Sequence, residues 1–283
     1  MSLKKYLAAF LLLSVISGCP NLYAASSAQP ETFPASDRSK EPPVENLISL
    51  EYPKLVLDDT WHVLSSPTRW DQKEWLWAGL GTGTVIVVGA LADKPIEKEF
   101  AKHRTRGNDN FSKNVERFGA EYSFITLAAY ELEGLALRDN RSLAVAQDGL
   151  ASSVVAAGVI TPSLKWIVGR SRPSSDKGPH DFNPFSSSAS FPSGHATQAF
   201  AVASVIAEHY DSPWVKIGSY GLASAVAYAR MEQKAHWASD VLVGAIIGTV
   251  VGRTIVHFNH DKRYELSPII DGNTVGVKAT HTF

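Results

Sequence analysis

From Trp75 onward the chain is written in long stretches of Ala, Val, Leu, Ile and Gly separated by short polar breaks. That pattern leaves few choices of fold. The spacing predicts helices over about residues 72–92, 113–137, 143–172, 193–209, 213–230 and 236–257. About six helices joined by short breaks pack as an antiparallel bundle, so the expected class is all-α. The ending "YELSPIIDGNTVGVKATHTF" changes character, and its "DGNT" between β-tolerant flanks predicts a short C-terminal hairpin. No internal repeat at solenoid spacing is visible.

Whether these helices cross a membrane turns on run length. The uncharged run Trp75–Ala92 spans 18 residues and just qualifies. The runs Gly149–Leu164, at 16, and Ala196–Ala207 and Val241–Gly252, at 12 each, fall short and read as buried core helices. A mean hydropathy of −0.06 also argues against six spans. The helix over 113–137, carrying Arg117, Glu121, Glu131 and Glu133, is a poor span. A net charge of −1 gives no sign of a nucleic-acid partner or a polybasic membrane anchor, so any affinity for phosphate must come from local cations.

The first 24 residues have the anatomy of a secretory signal: Lys4 and Lys5, an apolar stretch from Tyr6 to Ile16, then small residues. "LYA" before Ala25 suits ordinary cleavage, whereas "ISGC" resembles a lipobox that would lipidate Cys19. Because Cys19 is the single cysteine, the mature body can have neither disulfides nor thiol-metal sites. Residues 25–48 read as a flexible leader, 49–260 as the helical domain and 261–283 as a tail.

Three motifs mark helix ends. In "KWIVGRSRP", Lys165 and Arg172 are seven residues apart, which on a helix running to Arg172 puts both cations on one face. In "FPSGHAT", Ser193 is a natural N-cap and Gly194 lets an anion approach the free amides of the first turn, with His195 beside it. In "ARMEQKAHWASD", Arg230 closes one helix, while His236 and Asp240 open the next at i,i+4 spacing. There the carboxylate can accept the Nδ1 proton and leave Nε2 outward. In an up-and-down bundle all these ends fall at the same side.

A pocket with three cations, two histidines, a carboxylate and a helix N-terminus is built for a phosphoryl group. Lys165, Arg172 and Arg230 neutralise its oxygens, and the amides of the turn Ser193, Gly194 and His195 add directional donors. His236 is the expected nucleophile, because no cysteine is available and Ser193 serves as cap. His195 is left to protonate the leaving oxygen and then activate water.

The ordered set Lys-x6-Arg-Pro, Pro-Ser-Gly-His and Arg-x5-His-x3-Asp resembles the three-part signature of the type 2 phosphatidic acid phosphatase superfamily. That group holds lipid phosphatases, bacterial class A acid phosphatases and vanadium-dependent haloperoxidases. The resemblance spans Lys165 to Asp240, and Ala229 stands where the family usually has Ser. It implies the same roles for His236, Asp240 and His195, and neither a metal nor any other cofactor. The expected substrate is a phosphorylated lipid, a prenyl pyrophosphate or a small phosphomonoester, met in the periplasm by a soluble or membrane-associated enzyme. The alternatives are a soluble non-specific acid phosphatase, a vanadate-dependent haloperoxidase and a non-catalytic anion-binding envelope protein.

Other features carry less chemistry. His257 and His260 in "HFNH" lack a third ligand nearby and read as a helix end. "GLGTGT" at 79–84 lacks the lysine and strand of a phosphate loop and reads as small-residue helix packing. The polar loop between the first two motifs is either a substrate-selecting flap or a solvated connection.

Overall fold

The computed structural model describes residue 44, residues 47–187 and 190–265, and residues 268–271 and 274–277. The signal, Cys19 and the leader up to residue 43 lie outside the described residues. Nine helices occur among the described residues. They are α1 (Tyr52–Ser65), α2 (Gln72–Leu91), α3 (Asp93–Lys102), α4 (Arg106–Val115), α5 (Glu121–Leu137), α6 (Asn140–Val168), α7 (Gly194–His209), α8 (Pro213–Glu232) and α9 (Ala238–Glu265). Beyond α9, β1 (Pro268–Asp271) pairs antiparallel with β2 (Thr274–Val277), Asp271 opposite Thr274. The chain is therefore a helical bundle with one small terminal hairpin.

Three of these helices depart from the sequence reading. The stretch expected as one helix over 113–137 is broken at a 3-10 turn, Glu116–Gly119, followed by Ala120 at φ −142 and ψ −115, which separates α4 from α5. The helix expected to reach Arg172 stops at Val168, because Gly169 adopts the left-handed conformation, φ +56. The last helix opens two residues later than expected, at Ala238, and runs to Glu265.

The core is organised around α7. Its segment "ATQAFAVASV" is buried on every side, as expected of a helix that is small and apolar all round. Ala196, Ala199, Phe200 and Ala203 pack against Val226 and Ala227 of α8 and Val241 and Ala245 of α9. The contact with α9 is made through a glycine ladder, Gly244, Gly248 and Gly252. A Cβ on Gly244 would stand 2.6 Å from the Ser193 carbonyl oxygen, and one on Gly248 would stand 2.7 Å from the Ala201 nitrogen. Backbone is thus pressed on backbone along two turns, which fixes how the start of α7 meets the start of α9.

At the other end of the bundle lies a polar cluster. Arg263 of α9 gives hydrogen bonds to both carboxylate oxygens of Asp148 at 2.7 and 3.1 Å. His209 reaches Asp148 at 2.8 Å, and Asn259 donates to Asp148 and to Asp59 of α1. These bonds tie α1, α6, α7 and α9 together.

Among the described residues three helices, within Gln72–Leu91, Asn140–Val168 and Ala238–Arg263, are long and apolar enough to cross a membrane. The last two are largely interior. The first is not: none of its apolar window is buried, and Trp75, Leu76, Leu80, Ile86 and Val87 are exposed. The reading of "GLGTGT" as close helix packing is overturned here, since no described residue lies within 4 Å of a Cβ built on Gly79, Gly81 or Gly83.

Candidate active site

The site forms where α6 ends, α7 begins, α8 ends and α9 begins. Lys165 lies in the last turn of α6. Arg172 does not share its helix face: the chain turns at Gly169, and Arg172 sits in extended backbone (φ −74, ψ 156). The charges of both cations nonetheless act on the imidazoles of His195 and His236, lowering each. A Cβ on Gly194 would stand 3.9 Å from Lys165 Cε, so the lysine stem runs past the first residue of α7.

Ser193 caps α7 as expected, its hydroxyl accepting from the Ala196 amide at 3.4 Å. Its own amide donates to the Asp240 carbonyl at 3.0 Å, joining the second motif to the third, so this amide is not available as the anion donor that the sequence led one to expect. His195 follows in the first turn, partly exposed. Burial holds its imidazole below the ordinary value; Glu121 opposes this, and Lys165 and Arg172 add to it.

His236 precedes α9 and is 4% exposed. Its Nδ1 stands 2.6 Å from the Ser190 carbonyl oxygen and 3.9 Å from Asp240 Oδ2. The expected direct bond from Nδ1 to Asp240 is therefore replaced by one to Ser190. The reason is that both Asp240 oxygens are already taken. Oδ1 accepts from Arg170 at 2.5 Å, and Oδ2 accepts from the Ser190 hydroxyl at 2.5 Å and the Trp237 amide at 2.9 Å. A carbonyl can only accept, so Nδ1 carries the proton and Nε2 of the neutral ring is left with its lone pair. Burial, followed by the charges of Lys165, Arg230 and Arg172, holds this imidazole well below the ordinary value, and the Ser190 carbonyl opposes them.

Two residues that the motif reading passed over complete the site. Arg170 is buried, and its guanidinium bridges Asp240 and Asp93, the latter at 2.7 Å. It also donates to the Pro179 carbonyl, and lies about as far from the Trp237 ring as from the Phe182 ring, at 5.5 and 5.6 Å. Asp93, the first residue of α3, accepts from the Ser239 amide at 2.8 Å and from its hydroxyl at 2.6 Å. It thereby puts a carboxylate at the N-terminus of α9, the end that favours negative charge. A signal for Arg170 exists in the sequence, a second arginine two residues before Arg172; for Asp93 there is none.

Arg230, in the last turn of α8, is held by Glu116 and by Gln233, the latter at 2.7 Å. The polar loop after Arg172 proves to be stitched to the end of α6. Asn183 donates to the Gly169 carbonyl at 2.8 Å, Phe185 to Trp166 at 2.7 Å and Ser190 to Arg170 at 2.9 Å. Its last described residue is the one that holds His236. His257 pairs with Glu208 at 3.5 Å, and His260 lies beside Asp261, both remote from this site.

Residues 149–264 match the model of the PAP2 superfamily. That stretch contains every site residue predicted from the motifs, but not Asp93 or Glu116. A 65-residue segment is 45% identical to a lipid A 1-phosphatase of Porphyromonas gingivalis, covering 22% of this chain and 15% of that relative's length. Among solved structures, Aquifex aeolicus LpxE aligns over 58% of this chain and 94% of its own, with 23% identity and a TM-score of 0.47. A transmembrane PAP2-type phosphatidylglycerolphosphate phosphatase from Bacillus subtilis aligns over 64% and 94%, with 22% identity and a TM-score of 0.42.

Proposed function

We propose that this chain is a phosphatase that hydrolyses the phosphomonoester of a phosphorylated lipid through a phosphohistidine at His236, without a metal. The observation that carries the reading is the bond from His236 Nδ1 to Ser190, which leaves Nε2 unprotonated within the field of Lys165, Arg172 and Arg230. Those cations and the amides of Gly194 and His195 in the first turn of α7 bind the phosphoryl oxygens. The Nε2 lone pair attacks phosphorus, the ester P–O bond breaks, and His195 gives its proton to the departing oxygen. His195 then takes a proton from water as that water displaces His236 from phosphorus.

The lipid as substrate is supported by the PAP2 match and by the segment shared with a lipid A 1-phosphatase. The three long apolar helices support a membrane setting. A pocket on the periplasmic side belongs to the same proposal and rests on the N-terminal secretory pattern.

The test is phosphate release with EDTA present, from a soluble aryl phosphate and from phosphatidic acid micelles, beside His236→Ala. Release that disappears in the variant and favours the micelle is the expected result. Equal release by the variant removes the nucleophile assignment, and preference for the aryl ester assigns a soluble acid phosphatase instead.

A further inference from the structure

We infer that Asp93 and Arg170 are positioning residues for His236: together with Asp240 they form a buried array whose one surplus negative charge faces the imidazole as it becomes cationic on phosphorylation. The inference rests on the proposed role of His236 as nucleophile. It adds a residue, Asp93, that lies outside the segment matching the PAP2 model.

The geometry is a chain of contacts. Ser190 accepts the His236 Nδ1 proton through its carbonyl and donates through its hydroxyl to Asp240. Asp240 receives Arg170 on its other oxygen, and Arg170 reaches Asp93 with its second terminal nitrogen. Ser239 closes the ring, accepting from Arg170 at 2.8 Å and donating to Asp93 at 2.6 Å. Burial raises the Asp240 carboxyl, and Arg170, the Ser190 hydroxyl and the Trp237 amide oppose that; each carboxylate accepts three bonds, the pattern that favours the ionised form. Two carboxylates and one guanidinium leave a net charge of −1.

That balance matters because of what else faces His236. Lys165 from α6, Arg172 from the turn after it and Arg230 from α8 all set positive charge against the ring. They suit the incoming phosphate but oppose the step itself. When Nε2 bonds to phosphorus, Nδ1 keeps its proton and the ring carries positive charge until water displaces it. Arg170 alone would cancel Asp240, and the cationic ring would then face Lys165, Arg172 and the Glu116-paired Arg230 with no net negative charge on its Nδ1 side. Asp93 restores the missing charge, and by capping α9 through the Ser239 amide it also fixes where Asp240 stands.

The test uses the full chain, with phosphate release from phosphatidic acid micelles followed across pH in wild type, Asp93→Asn, Arg170→Gln and the double variant. In Asp93→Asn the array becomes neutral. Its kcat is expected to fall about 10- to 100-fold with KM within about twofold, and the acid limb of kcat/KM to move to lower pH. Arg170→Gln makes the array more negative, so its acid limb moves to higher pH. The double variant again carries one negative charge, on Asp240, which keeps its bonds from the Ser190 hydroxyl and the Trp237 amide, and returns the limb to near the wild-type position.

A merely structural role would lower the amount of folded enzyme and leave all the limbs in place. That outcome, or limbs moving the same way in both single variants, overturns the inference. If wild type releases no phosphate, or His236→Ala matches it, the proposed function has failed and the array with it; active wild type with unmoved limbs fails the array alone.

Discussion

At the scale of single residues, the proton on His236 Nδ1 decides what the ring can do. The neutral ring attacks and the protonated ring cannot, so kcat/KM falls as pH drops through the imidazole pKa. Burial and three cations push that pKa down. The acid limb is therefore expected below the ordinary histidine value of about 6.5. His195, also held low, must be protonated to act as acid, which draws the alkaline limb of kcat/KM toward acid pH. A bound phosphate adds negative charge beside His195 and raises it, so the alkaline limb of kcat should lie at higher pH than that of kcat/KM. Coincident limbs in both profiles would contradict this. Lys165, His195 and His236 were legible in the sequence because each is tied by short spacing to a helix end. Asp93 and Glu116 were not, since they meet their partners across 77 and 114 positions, and nothing in local spacing records such pairs.

At the scale of elements, the meeting of α7 and α9 depends on glycine. Any side chain at Gly248 is driven into the backbone of α7 near Ala201. Gly248→Val should cost at least about 1–3 kcal/mol, by the general cost of overpacking, and lower kcat by moving His195 relative to His236. Thermal melting and phosphate release measure the two effects; an unchanged melting temperature would mean that the helices can separate without loss. Gly169 is the other fixed point. It ends α6 early and turns Arg170 into the core, which is why a helical wheel extended to Arg172 misplaces that arginine. The helical periodicity identified α2, α7 and α8 nearly to the residue, but periodicity contains no instruction about where a left-handed residue will stop a helix.

At the scale of the molecule, two ends of one bundle hold opposite kinds of polarity. The site end gathers cations for an anionic ligand, whereas the far end pairs Asp148 with Arg263 inside the fold, with His209 as a further hydrogen-bond partner. Arg263→Ala leaves a buried carboxylate short of its guanidinium, and such losses typically cost about 3–5 kcal/mol. The variant should melt earlier while the folded fraction keeps its KM; a shifted KM would mean that the two ends communicate. The exposed apolar surface of α2 gives a third test. Its 20 residues span about 30 Å, the thickness of a bilayer core. Tryptophan fluorescence, to which Trp75 and Trp77 contribute, should be quenched by brominated lipids in reconstituted vesicles, and the absence of quenching would take α2 out of the bilayer. Run length alone marked this helix as a candidate span; that Gly79, Gly81 and Gly83 meet no described neighbour emerged only from the packing.

The central claim is a covalent bond between phosphorus and His236. The most direct measurement is rapid quenching of the enzyme with phosphatidic acid carrying radiolabelled phosphate, followed by peptide mapping. The account predicts label that is lost in acid, is retained in alkali, maps to the peptide containing His236 and is absent from His236→Ala. Turnover by wild type with no label on that peptide, under conditions where the intermediate accumulates, would contradict it.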